Sequence, residues 1–161
     1  MTINIADFNI SDLDSEIKVD QQCSKLLQQF HAQLLQDEIE PLVAGQLAHG
    51  ADYFLRDFII ADRQMNIFTV DHNSVRQFAG HWYIIKNLEP NIKELANLLQ
   101  GVAVFYTYLH QLELLEQDIH TQIQLATAEL DFYQQRIDQF WDISDDGYHQ
   151  WCAACPLPEI A

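Results

Sequence analysis

A chain of 161 residues, 48% hydrophobic and 20% charged, is long enough to bury a substantial core without disulfide help, and predicts one domain over 1–161. Twenty-four acidic against eight basic residues give a net charge of −16, a field that repels nucleic-acid phosphates and anionic membranes and argues against direct nucleic-acid binding. No apolar run reaches membrane-spanning length, MTINIADFNI lacks a signal peptide's basic start, and three cysteines (Cys23, Cys152, Cys155) cannot build a disulfide scaffold, so the expectation is a cytoplasmic protein.

The charge is unevenly spread. Residues 1–40 carry eight acids and two bases, residues 94–161 eleven acids and one base, and the stretch between is close to neutral. Two readings follow: an ordinary acidic protein, or an acidic mimic of nucleic acid that occupies a basic groove.

Residues 1–19 mix Asp with isolated Ile and Phe and read as an N-terminal arm. Cys23, Leu26, Leu27, Phe30, Leu34, Leu35 and Ile39 then share one face of a helix predicted over 21–40. Pro41 ends it and suits the first position of the next, predicted over 42–63, with Val43, Leu47, Ala51, Phe54, Leu55 and Phe58 inward. Periodicity fails over 64–73. A third helix over 74–87 places Val75, Phe78, Ala79, Trp82 and Ile85 at helical spacing and stops before Pro90.

The longest signal runs from Leu95 to Phe140. Leu95, Leu98, Val102, Phe105, Leu109, Leu112, Ile119, Ile123, Ala126, Leu130, Tyr133, Ile137 and Phe140 keep a three-and-four spacing, with Glu116 the polar residue on the seam. Thr121 and Gln124 form a potential capping box, which predicts a turn within 117–121 and helices over 91–117 and 121–142 folded into a long antiparallel hairpin. The alternative is one continuous helix of about 75 Å, suited to a coiled-coil dimer. Gly101, inside this run, suits close approach of another helix.

Residues 52–118 carry a further pattern. Asp52, Tyr53, Phe54, Asp57 and Phe58 are followed by Val75-x-x-Phe78 and Trp82-Tyr83. Then come Leu95-x-x-x-Leu99-x-Gly101-Val102 and Phe105-Tyr106-x-Tyr108-Leu109. This order resembles the helical core-binding (SAM-like) domain of tyrosine recombinases. The resemblance implies a compact helical fold. It implies no DNA cleavage, because the family's basic DNA-facing surface and its catalytic Arg, His and Tyr set have no counterpart in this sequence.

The C-terminal segment, 144–161 as a predicted tail, carries the most suggestive chemistry. His149, Cys152 and Cys155 recur every three residues and could converge on one zinc ion, with Cys23 or another histidine as fourth ligand. Trp151-Cys152-x-x-Cys155 also has the order of a redox dithiol, although that chemistry asks for a preceding strand, and a tail that packs Trp151 on the bundle with incidental thiols accounts for the segment better. Asp142 to Gly147 matches the start of a calcium loop but has Ala153 where a bidentate Glu belongs, so a helix stop explains it better. Glu113, Glu116 and His120 stand a turn apart without a second set to complete a metal site, and Glu116 suits a helix end near solvent. Arg56, Arg63, Arg76, Lys86 and Lys93 cluster beside Trp82, Tyr83 and Tyr106; pairing with Asp52, Asp57, Asp62 and Asp71 accounts for them.

The sequence therefore predicts an all-α compact bundle of about five helices. It is expected to act without catalysis or cofactor as an interaction or regulatory protein, its partner another protein or a second copy in a homodimer. The alternative is a metal-binding or redox protein built on His149, Cys152 and Cys155, with zinc as cofactor. The nucleic-acid mimic comes third.

Overall fold

The computed structural model describes residues 3–143 and 147–153. Their regular structure is all helical, with no strand among them. Helix α1 spans Leu13–Gln36. Helix α2 spans Pro41–Asp52 and runs on as a π-helical segment, Tyr53–Asp62. Helix α3 joins His72–Gln77, a π segment Phe78–Trp82, and Tyr83–Lys86. Then follow α4 (Ile92–Gln111), α5 (Gln117–Thr127), α6 (Leu130–Trp141) and α7 (Gly147–Ala153). The all-helical bundle agrees with the sequence. The count of five and the long hairpin do not.

The ends of the helices explain the differences. Helix α1 begins eight residues before the predicted start because Asp12 and Ser15 form a reciprocal capping box: Ser15 N–H donates to Asp12 Oδ1 at 2.8 Å and Asp12 N–H to Ser15 Oγ at 3.0 Å. The part of the arm before it is tied down. Phe8 is buried edge-on to Phe68, and Asn66 Nδ2 donates to Ile5 O and Asn9 Oδ1. The loop over 64–73 contributes to the core as well, since Ile67 is buried and its carbonyl accepts from Tyr106 Oη at 2.7 Å.

The long seam breaks twice, and neither break is at 117–121. Helix α4 stops at Gln111, Glu113 takes a left-handed conformation (φ 62°), and α5 starts after Glu116. Leu112 falls in this turn and is exposed, while Glu116, also exposed, precedes the first turn of α5 as a solvent-side helix end. Thr121 lies inside α5, its hydroxyl donating to Gln117 O at 3.0 Å, so it caps nothing. A second break at Ala128 and Glu129 turns α6 away from α5, onto the π segment of α3 and onto α4. The seam residues Leu95, Leu98, Val102, Phe105, Leu109, Ile123, Ala126, Tyr133 and Ile137 are all buried, but in three helices.

Helices α2 and α4 form the tightest pair. A Cβ on Gly50 would sit 2.6 Å from Leu98 O, and one on Gly101 would run into the Leu47 carbonyl and lie 3.0 Å from Ala51 N. The two glycines let the backbones touch, as the sequence predicts for Gly101. Beside this crossing the two π segments meet through their aromatics. Phe54 and Phe58 pack on Phe78 at ring distances of 5.0 and 5.5 Å, and Phe58 packs on Trp82 at 5.2 Å. Arg63 N–H donates to Phe58 O and Tyr83 N–H to Phe78 O, each five residues back, which marks the widened turns.

Candidate functional site

The residues singled out for metal or redox chemistry are only partly brought together. His149 and Cys152 lie three apart on α7, His149 exposed and Cys152 half-buried. Cys155 lies outside the described residues. Cys23 sits fully buried in α1, and burial pushes its thiol up to about 12, with Asp52 and Asp20 adding to the effect. Cys23 is thus enclosed in α1, whereas His149 is exposed on α7. No group of three or more metal-binding side chains forms among the described residues.

The basic residues pair in part as predicted and in part with acids of other helices. Arg56 grips Asp20 of α1 through two bonds, Nε to Oδ1 at 2.9 Å and Nη2 to Oδ2 at 3.1 Å, with Asp52 Oδ1 at 3.4 Å from Nη1. Arg76 lies 3.3 Å from Glu129 Oε2 and over the Phe132 ring. Only Arg63, 3.6 Å from Asp62, and the Arg56–Asp52 contact match the partners expected from sequence.

A polar cleft that sequence reasoning missed lies where α2, α3 and α4 meet. Its volume is about 540 Å³, and its lining includes His49, Tyr53, Asp57, Asn87, Glu94 and Asn97. Helix α2 supplies His49, Tyr53 and Asp57 at intervals of four, crossing from its α-helical into its π-helical part. Asn87 caps the end of α3, and Glu94 and Asn97 stand one turn apart at the start of α4. Widened π turns recur at functional sites because they re-aim side chains that a regular helix would spread around its surface.

Hydrogen bonds hold the cleft wall in place. Asn87 Nδ2 donates to Tyr83 O at 2.8 Å and to Tyr53 Oη at 3.2 Å. Tyr83 Oη donates to Glu94 Oε1 at 2.8 Å and accepts from Asn91 N–H at 3.2 Å. Asn91 Oδ1 in turn accepts from Glu94 N–H at 2.8 Å, the N-cap bond of α4. The His49 ring lies parallel to that of Tyr53, 6.5 Å away.

No family model matches the chain, and no curated protein and no solved structure matches it.

The cleft is acidic. Burial raises the Asp57 carboxyl above the usual range, and the neighbouring Asp52 adds to it. Burial likewise raises the Tyr53 and Tyr83 phenols, so both stay protonated as donors at neutral pH. The cleft thus offers two carboxylates, Asp57 and Glu94, three amides, Gln46, Asn87 and Asn97, and the rings of His49 and Tyr53, and none of its lining residues is Lys or Arg. The signal in the sequence was the series His49, Tyr53, Asp57 at intervals of four along one helix.

Proposed function

We propose that the protein is a non-catalytic interaction module that takes a basic segment of a partner protein into the cleft between α2, α3 and α4. The observation that supports this is an open cleft of about 540 Å³ lined by two carboxylates and by no Lys or Arg. A Lys or Arg side chain entering it meets charge-assisted acceptors in Asp57 and Glu94, amide oxygens in Asn87 and Asn97, and the face of Tyr53. A cation beside Asp57 also offsets the burial and, after it, the Asp52 repulsion that raise its carboxyl. At longer range the net charge of −16 steers a basic partner inward and turns acidic ones away.

Titration with a fluorescent peptide rich in Lys and Arg tests the reading. Binding is expected to weaken as salt is raised, and Asp57→Asn combined with Glu94→Gln to weaken it by about tenfold. Removing two exposed carboxylates of α6, Asp131→Asn with Asp138→Asn, should change it by only about twofold. No binding at low salt, or equal losses in both double variants, would overturn the reading.

A second reading rests on His149 and Cys152 sharing one face of α7: a zinc ion held there together with Cys155. Elemental analysis of untagged protein is the check. It predicts one zinc per chain, and a metal-free protein removes it.

A further inference from the structure

Helix α7 is seven residues long, and among them only Trp151 is buried. A helix this short does not hold itself together in water, so its order depends on docking, with Trp151 the main anchor and Cys152 half-buried beside it. The seat of Trp151 is unusually specific. Its indole Nε1–H donates to Arg136 O at 2.9 Å, while Arg136 Nη1 donates back to Trp151 O at 2.7 Å. The guanidinium carbon lies 3.9 Å from the indole ring centre, and the His81 ring stacks on the indole at 5.1 Å and 17°. Phe140 closes the side at 5.0 Å. Arg136 is itself buried and held by the backbone of α3, with Nε donating to Gly80 O at 2.8 Å.

We propose that α7 is a detachable latch, and that Arg136, His81 and Phe140 form a socket for a tryptophan carried on a helix. The socket selects tryptophan for three reasons. Its carbonyl acceptor needs the indole N–H, which Phe lacks. Its guanidinium needs a large π face. Its second donor needs the anchor's own backbone carbonyl, which places the anchor on a chain and not on a free ring. The walls belong to α3 and α6, and α6 packs on α3 and α4 independently of α7, so the socket persists when the latch opens. Once open, the socket takes the same segment from a second copy of this chain. The proposal uses a surface distinct from the acidic cleft and stands or falls independently of it.

A labelled peptide of residues 147–161 tests it against the full chain. In the wild type the tethered helix competes, so the apparent affinity is reduced by the closed fraction. Trp151→Ala empties the socket, and this variant is expected to bind the peptide about tenfold or more tighter than the wild type. A peptide with Phe at the tryptophan position should lose about tenfold. Hydrogen exchange on the unmodified chain supplies the second measurement. Amides of α7 and the Trp151 indole N–H are expected to exchange about tenfold or more faster than the central amides of α6. A folded Trp151→Ala chain that binds no better than wild type, or α7 amides that exchange in step with α6, overturns the proposal. If the variant does not fold, the exchange experiment decides alone.

Discussion

Phe105 lies at the middle of α4 with no exposed surface, edge-on to Phe30 of α1 at 5.2 Å and to its neighbour Tyr106 at 5.4 Å. Truncating it empties the junction of two helices, so Phe105→Ala is expected to cost about 3–5 kcal/mol in denaturant melts. Gln111, exposed at the end of the same helix, should tolerate Ala within about 0.5 kcal/mol. Both placements were legible, because a buried stripe at helical spacing identifies its own inward face. Histidines behave otherwise, since nothing in their spacing says which will meet. His110 and His120, on different helices, stack in parallel at 4.5 Å, and His120 Nε2 lies 3.0 Å from Thr107 Oγ1. Burial, and then the neighbouring His110, lower the His120 pKa below its ordinary value. The unfolded chain therefore takes up this proton first as pH falls. The stabilisation tied to neutral His120 is complete above about pH 6.5 and is lost as pH drops from there through the lowered folded value. Melts of wild type and His120→Gln between pH 7.5 and 5 should show the wild type losing its advantage in that window; parallel curves would contradict the assignment.

At the scale of elements, glycines report how the helices were brought together. Gly50 and Gly101 sit where α2 and α4 touch backbone to backbone, whereas a Cβ on Gly45 meets nothing within 4 Å. Gly101→Ala is expected to destabilise by about 1–3 kcal/mol, because the obstructing atoms are backbone and cannot swing aside. Gly45→Ala, in the same α2, should stabilise by about 0.5–1 kcal/mol by removing a flexible residue from an open helical position. Chemical denaturation of the two variants checks both signs at once. Gly101 was readable as a contact point since glycine has little other use inside a helix. The breaks in α4 to α6 were not readable, for a physical reason. A stripe keeps its phase across a short turn if the turn supplies the missing residues, and Leu112 and Glu116 did so here. The left-handed Glu113 that makes the first turn carries no glycine to announce it. The π segments were hidden similarly, because Phe54, Phe58, Phe78 and Trp82 satisfy an ordinary helical pattern too.

For the whole molecule, charge and topology together carry the functional account. No helix among the described residues is long and apolar enough to cross a membrane, and the acidic surplus that the sequence displays openly acts over the entire surface. The cleft was not legible, because His49, Tyr53 and Asp57 come from one helix, Asn87 from the end of the next and Glu94 with Asn97 from a third. Only the α2–α4 crossing and the Asn87 and Tyr83 hydrogen bonds bring them to one place. The tail was half legible: Trp151 docking on the bundle was expected, and the short helix around it was not. The most direct test of the central claim is to follow backbone and side-chain amide NMR signals while adding a peptide rich in Lys and Arg at low salt. The account predicts that shifts gather on His49, Tyr53, Asp57, Asn87, Glu94 and Asn97, and that Asp57→Asn with Glu94→Gln removes them. Shifts spread evenly over the acidic surfaces of α1 and α6, with the cleft signals unmoved, would contradict it.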